Sequence, residues 1–223
     1  LGKKVNNMLA AAGYHLCKGD NMAGNPKWCQ PVETWKNYFS DWIRTPGPSE
    51  LLDVSIFFDF RFCYGDSSLC EELRDWVKRS LRTNDIYFYH MSLAWKQFAP
   101  SPAMLAEEKS DIKRIIMPLT GIIRLYALKH GLDSLSTLDR ILDLHRGKYI
   151  EGKLLYNTLR AWKDLASIRL LHQASCIERG DDPDNYPDFL FRESHLRHSA
   201  AQAIEEINNL ILKAGNDFHS VTI

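Results

Sequence analysis

An aspartate and an arginine stand two residues apart in the most apolar run of this chain, Val54-Ser-Ile-Phe-Phe-Asp-Phe-Arg-Phe-Cys-Tyr-Gly-Asp66. Apolar neighbours on both sides read as a segment buried on both faces, and a strand would project Asp59 and Arg61 from the same side. Charges in such a place are either paired or used. Two readings stay open. Asp59 and Arg61 neutralise each other as a structural pair, or they form an acid and base site at the rim of the core. Gly65 breaks the run, and Ser68-Leu-Cys-Glu71 reads as a capping box that opens a helix.

Other residues of chemical interest have simpler readings. Asp182-Pro-Asp184 has the spacing of a metal-binding carboxylate pair, but a proline-broken polar loop is a poor platform for one, and a helix-to-helix connection fits it better. His195 and His198 are three residues apart with no acidic or thiol partner implied, so they read as surface histidines. His172, within Arg169-Leu-Leu-His-Gln173, reads as an inter-helix hydrogen-bonding group. The five cysteines include no CxxC pair. They read as free thiols of a reducing cytoplasm, and their spacing does not indicate zinc. The chain has no Walker loop, no GxGxxG turn and no GxSxG elbow.

The elements that position these groups are helical. Residues 1–12 form a helix with Val5, Leu9 and Ala12 on one side and Gly13 as its stop. Residues 31–43 form another, with Trp35, Phe39 and Trp42 as its stripe, and Thr45-Pro-Gly-Pro-Ser49 is a break. A helix ending near Leu81 carries Leu69, Leu73 and Trp76, and a second spans Asn84 to Phe98. Pro118 places the next start, because proline is unfavourable inside a helix but welcome in its first turn. That helix holds Leu119, Ile122, Ile123 and Tyr126 inside. Ser136 caps a short helix over 137–145, and Gly147 ends it. Two long helices close the chain. One spans 149–179 with Leu155, Leu159, Trp162, Ala166 and Leu170 as its stripe. The other spans 193–214 with Leu196, Ala200, Ala203, Ile207, Leu210 and Ile211. Apolar stripes on long helices must bury against one another, which predicts a mainly α, up-and-down bundle.

The 223 residues suffice for one large domain or two small ones. With 45% hydrophobic and 25% charged residues, the composition is that of an ordinary globular chain. Its 28 basic and 28 acidic residues cancel, which excludes the field of a dedicated nucleic-acid binder but not a local phosphate site. No run reaches membrane-spanning length. The opening Leu1-Gly-Lys-Lys has neither a signal-peptide core nor an initiating methionine, as expected of a piece of a longer protein.

An ordered set of residues resembles a known family. Gly13-Tyr-His-Leu-Cys-Lys-Gly-Asp-Asn-Met-Ala23, Asn25-Pro-Lys-Trp28 and Trp35…Phe39…Trp42-Ile43 look like the second half of a nucleotidyltransferase domain. Ser55-Ile-Phe-Phe-Asp-Phe-Arg61 with Tyr64-Gly-Asp66 resembles that family's junction with a C-terminal substrate-binding domain. Asp111-Ile-Lys113, Pro118, Arg124, Tyr126-Ala-Leu128, Gly131, Thr137…Arg140 and Arg169-Leu-Leu-His-Gln173 continue the match in order. The family is distantly similar to the enzymes that uridylylate PII proteins and adenylylate glutamine synthetase, and it often follows CBS or cyclic-nucleotide-binding domains.

The resemblance implies transfer of a nucleotidyl group from a nucleoside triphosphate to a protein or small acceptor, with magnesium as cofactor. It implies a remnant of an α/β nucleotidyltransferase domain over 1–62 and a helical substrate-binding domain over 63–223. Asp59 becomes the candidate third acid, catalytic and metal-holding, with Arg61, Asp66, Lys113 and Arg124 as substrate-binding candidates. The family's Gly-Ser turn is absent here, and its Asp-x-Asp pair has only the unsuitable Asp182-Pro-Asp184 as a match. The expectation is that those elements lie upstream, that the isolated chain is catalytically silent, and that nucleotide and acceptor remain unnamed. A non-catalytic interaction module of a signal-transduction protein, or a degenerate domain kept for architecture, are the competing readings.

Overall fold

The computed structural model describes residues 1–44, 50–106, 110–187 and 193–219. The break expected at 45–49 lies outside them. Helices dominate: α1 (Gly2–Ala11), α2 (Val32–Arg44), α3 (Glu50–Phe57), α4 (Ser67–Arg82), α5 (Asp85–Lys96), α6 (Ile112–Lys129), α7 (Thr137–Arg146), α8 (Gly152–Arg179) and α9 (Ser194–His219), with short 3-10 turns at Pro26–Trp28 and Pro102–Ala106. The mainly α, bundled architecture is as the apolar spacing predicts.

α6 is the central rod. It lies against α5, α7, α8 and α9 and reaches α4. Ile112, Ile115, Leu119, Ile122 and Ile123 are fully buried along it. The start expected near Pro118 is six residues too late. Asp111 accepts from the backbone N–H of Lys113 (3.0 Å) and Arg114 (3.2 Å), so the cap lies one full turn and more before the proline. Pro118 sits inside the helix. Burial of Ile112, Ile115 and Leu119 at helical spacing outweighs the lost backbone bond, which costs about 3 kcal/mol.

α8 and α9 form the most extensive helix pair. On α9 the inward residues include Ala200, Ala203, Ile207, Leu210 and Ile211, as expected, joined by Ile204, Ala214 and Phe218. On α8 the buried stripe is Thr158, Ala161, Leu165, Ile168, His172 and Cys176. The predicted Leu155, Leu159 and Trp162 are only partly buried, and Leu170 is exposed. α8 is apolar around much of its circumference, so spacing alone does not select the face that meets α6 and α9.

The opening stretch is the largest departure. No strand occurs among the described residues, so the expected α/β remnant over 1–62 is helix and loop here. Val54 and Phe58 are buried while Ile56 between them is exposed. The backbone N–H of Phe58 donates to the carbonyl of Val54 at 3.1 Å. That is the period of a helix, and a strand would have put all three on one face. A short apolar run supports either assignment, and the docking of α3 on α2 decides it. α1 forms as predicted, but Val5 and Leu9 stay exposed, and none of its residues is buried.

Candidate functional site

An aromatic cluster carries the chain into the site. Trp42 stacks on Phe57 (centroids 5.4 Å apart), Phe39 meets Phe58 edge-on at 4.9 Å, and Phe58 stacks on Tyr87 of α5 at 6.2 Å. These rings pin the end of α3 between α2 and the bundle. The next residue, Asp59, is thereby aimed at α6 and α7.

Asp59 is held by two arginines. Arg124 of α6 donates to Oδ2 from Nε (3.0 Å) and Nη2 (2.7 Å). Arg140 of α7 donates to Oδ1 from Nη2 and approaches Oδ2 from Nη1 at 3.4 Å. Arg140 also donates from Nε to the carbonyl of Ser134 at 2.8 Å. The three side chains are 25%, 13% and 4% exposed, in the order Asp59, Arg124, Arg140. Burial pushes the Asp59 carboxyl up, but hydrogen bonds and charge from Arg140 and Arg124 outweigh it and hold the group below the usual carboxylate range. The cluster carries one net positive charge. Beside it, the hydroxyl of Tyr87 is buried without a hydrogen-bond partner among the described residues. Burial pushes that phenol far above its ordinary value, against the opposing charge of Arg124.

The Asp59–Arg61 partnership that both sequence readings assumed is not formed. Arg61 is exposed and makes no ion pair among the described residues, so the structural pair is with Arg124 and Arg140 instead. Magnesium is a poor fit at Asp59. Both oxygens accept from guanidinium groups, and no cluster of metal-ligating side chains among the described residues includes it. Of the expected substrate-binding residues, Arg124 joins Asp59 and three do not. Asp66 is exposed and caps α4, accepting from the backbone N–H of Ser68 at 2.9 Å and from its hydroxyl at 2.6 Å. The cap is thus Asp66 rather than the predicted Ser68. Lys113 is exposed in the first turn of α6, about 16 Å along the helix from Arg124 at 1.5 Å per residue.

Arg140 is the residue that single-site reasoning missed. It is buried beside Ile141 and Leu144 on the inner face of α7. The available signal was a cation placed where the helical period demands an apolar side chain.

A cleft opens next to the clamp. Phe58, Phe60, Val77, Leu81, Leu128, Leu132 and Leu135 make its apolar lining, and Arg74, Lys78, Asp133, Ser134 and Arg140 supply polar groups. Arg74 donates to the carbonyl of Phe60 at 2.7 Å, and Lys78 pairs with Asp133 at 2.5 Å. An apolar floor with convergent cations suits a ligand that has both a ring system and a negative charge.

Residues 86–213 match the family described as "Putative nucleotidyltransferase substrate binding domain". Residues 1–49 match the one described as "Putative nucleotidyltransferase DUF294". No curated protein and no solved structure matches the chain. Among the described residues no helix is long and apolar enough to cross a membrane. Arg124 and Arg140 fall inside the longer match, whereas Asp59 falls between the two, so the clamp ties the connecting segment to the matched helices. Since the longer match takes in more than half of the 223 residues, the chain belongs to the nucleotidyltransferase substrate-binding domain family.

Proposed function

We propose that this chain is the substrate-binding portion of a magnesium-dependent nucleotidyltransferase of the PII-uridylyltransferase-like kind, divided near 62/63. Its cleft at the Asp59–Arg124–Arg140 clamp, about 40 Å³ in volume, forms one contact point for the nucleoside triphosphate rather than enclosing it. The observation that carries the reading is the cleft itself, where Arg74, Lys78 and Arg140 line an apolar floor. In such transfer the acceptor attacks the α-phosphorus and pyrophosphate leaves, so catalysis rests on positioning and on neutralising phosphate charge. In this reading Lys78, and Arg74 whose Nη1 lies 3.9 Å from Asp133, exchange that carboxylate for phosphate oxygens, and the phenyl rings of Phe58 and Phe60 bound the base or ribose. Asp59 holds Arg124 and Arg140 in place. Magnesium would be held by an Asp-x-Asp pair, and the triphosphate cradled by a Gly-Ser turn, both belonging to another segment of the full protein, consistent with a cytoplasmic signalling enzyme carrying CBS or cyclic-nucleotide-binding domains.

The test is equilibrium titration of the chain with ATP, UTP and pyrophosphate in EDTA. Saturable triphosphate binding is expected, weakened about fivefold or more in Lys78→Ala and Arg74→Ala, which corresponds to about 1 kcal/mol per lost charge-assisted contact. No binding, or binding unchanged in both variants, would overturn the reading. A second reading, an interaction module without catalysis, is favoured by the exposed Leu170, Leu171 and Ile177 on α8.

A further inference from the structure

Away from the cleft, α8 and the loop that follows it bring three unlike donors together. His172 and Cys176 are one helical turn apart and are 3% and 2% exposed. Such i, i+4 spacing puts both side chains on one face of the helix. Asp184 comes back from the loop, and ligand atoms of all three lie within 4.8 Å of one another. No other group of three such side chains does so among the described residues.

We propose that His172, Cys176 and Asp184 form a binding site for a zinc-class transition-metal ion. The donor set is one imidazole nitrogen, one thiolate and one carboxylate oxygen, which suits zinc or cobalt and is too soft for magnesium. Geometry supports it. Zinc–sulfur and zinc–nitrogen bonds of about 2.3 and 2.0–2.1 Å at a tetrahedral angle put the two donors about 3.6 Å apart. The Cys176 Sγ to His172 Nε2 distance is 3.5 Å. The carboxylate is closer, with Asp184 Oδ1 at 2.5 Å from the same Nε2. It must withdraw by about 0.8 Å to reach the tetrahedral spacing of about 3.3 Å. The Asp184 side chain is half exposed, and although its Oδ1 also accepts from the N–H of Tyr186 at 2.8 Å it can make that shift by turning about its own torsions, whereas the two helical donors are fixed.

Charge is balanced as well. Thiolate and carboxylate together neutralise a divalent ion, and binding releases the Cys176 thiol proton to solvent. Arg179 Nη2, 3.6 Å from Sγ, is the nearby cation. Its Nε donates to Asp181 at 3.1 Å, so its charge is offset, and it can remain as a hydrogen-bond donor to the bound thiolate. The loop is already held against the core at the backbone of Asp184 and at the residue after it. Gln173 Nε2 donates to the carbonyl of Asp184 at 3.3 Å, Arg169 Nε donates to Asn185 Oδ1 at 2.9 Å, and the N–H of Ile112 donates to the carbonyl of Asn185 at 3.0 Å. A bound ion would therefore tie the described part of the α8–α9 loop to the start of α6, about 18 Å along that helix from Arg124 of the clamp.

The experiment is a cobalt(II) titration of the full chain, reduced and freed of metal, followed by visible absorption and by elemental analysis after zinc exchange. The expected result is one ion per chain with thiolate-to-cobalt charge-transfer absorption. That absorption is lost in Cys176→Ser and kept in Cys63→Ser, whose thiol is exposed. Asp184→Asn, on the loop, should weaken zinc at least about tenfold while leaving the metal-free melting temperature within a few degrees. Absence of thiolate-to-cobalt absorption in the wild type, or its survival in Cys176→Ser, would overturn the site. So would zinc affinity unchanged by Asp184→Asn.

Discussion

Replacing Asp59 by asparagine removes the one negative charge between Arg124 and Arg140 while keeping the side-chain shape. Three of the approaches are 2.7, 3.0 and 3.4 Å, and the fourth joins Arg140 Nη2 to Oδ1. Each charge-assisted bond is worth about 1.5–3 kcal/mol in isolation, but the four share one carboxylate and do not add. Stranding buried cations costs about 3–5 kcal/mol when the pair is fully enclosed. Asp59 keeps a quarter of its side chain exposed, so screening lowers the expectation to about 2–4 kcal/mol. Urea unfolding followed by tryptophan fluorescence measures it. With a slope of about 2–3 kcal/mol/M the midpoint should fall by roughly 1 M. Because the folded-state carboxyl is depressed, its contribution is present above the ordinary carboxylate range and is lost as pH falls through the folded value. The gap between wild type and Asp59→Asn should therefore be constant from pH 5 to 8 and close below about pH 4. Arg61→Ala, as control, should change stability by less than about 0.5 kcal/mol. A loss below about 1 kcal/mol for Asp59→Asn, or an equal loss for Arg61→Ala, would refute the clamp.

Two further outcomes follow from packing and titration. Gly121 lies where α6 meets Trp95, and a Cβ there would stand 2.1 Å from the indole ring. Gly121→Ala should destabilise by about 1–3 kcal/mol although alanine is the better helix former by about 1 kcal/mol, and a rise in melting temperature would contradict this packing. His130 stacks on Tyr149 with centroids 3.5 Å apart, and burial, aided by Lys129, pushes its pKa below the ordinary 6.5. The unfolded chain then binds the proton more readily, so stability should fall as pH drops from about 7.5 to 5.5. His130→Phe should flatten that slope, and an unchanged slope would assign it to other groups.

Much of the helical skeleton was legible locally. Ser136 and Gly147 bracket α7, and the α9 stripe repeats at helical spacing, because caps and apolar periods act within a few residues. The ordered family residues were also legible, and with them Asp59 and Arg124. Sequence by itself thus determined the fold class, the family and two members of the clamp. Tertiary structure alone decided the rest. Whether 50–57 is helix or strand depended on docking against α2, since a short apolar run satisfies both periods. Which face of α8 turns inward depended on where α6 and α9 lie. Asp59 found Arg124 and Arg140, 65 and 81 residues away, rather than Arg61 two residues away. A buried charge takes the partners that the packed helices bring within reach, and that proximity is a property of the assembled core rather than of neighbouring positions in the chain.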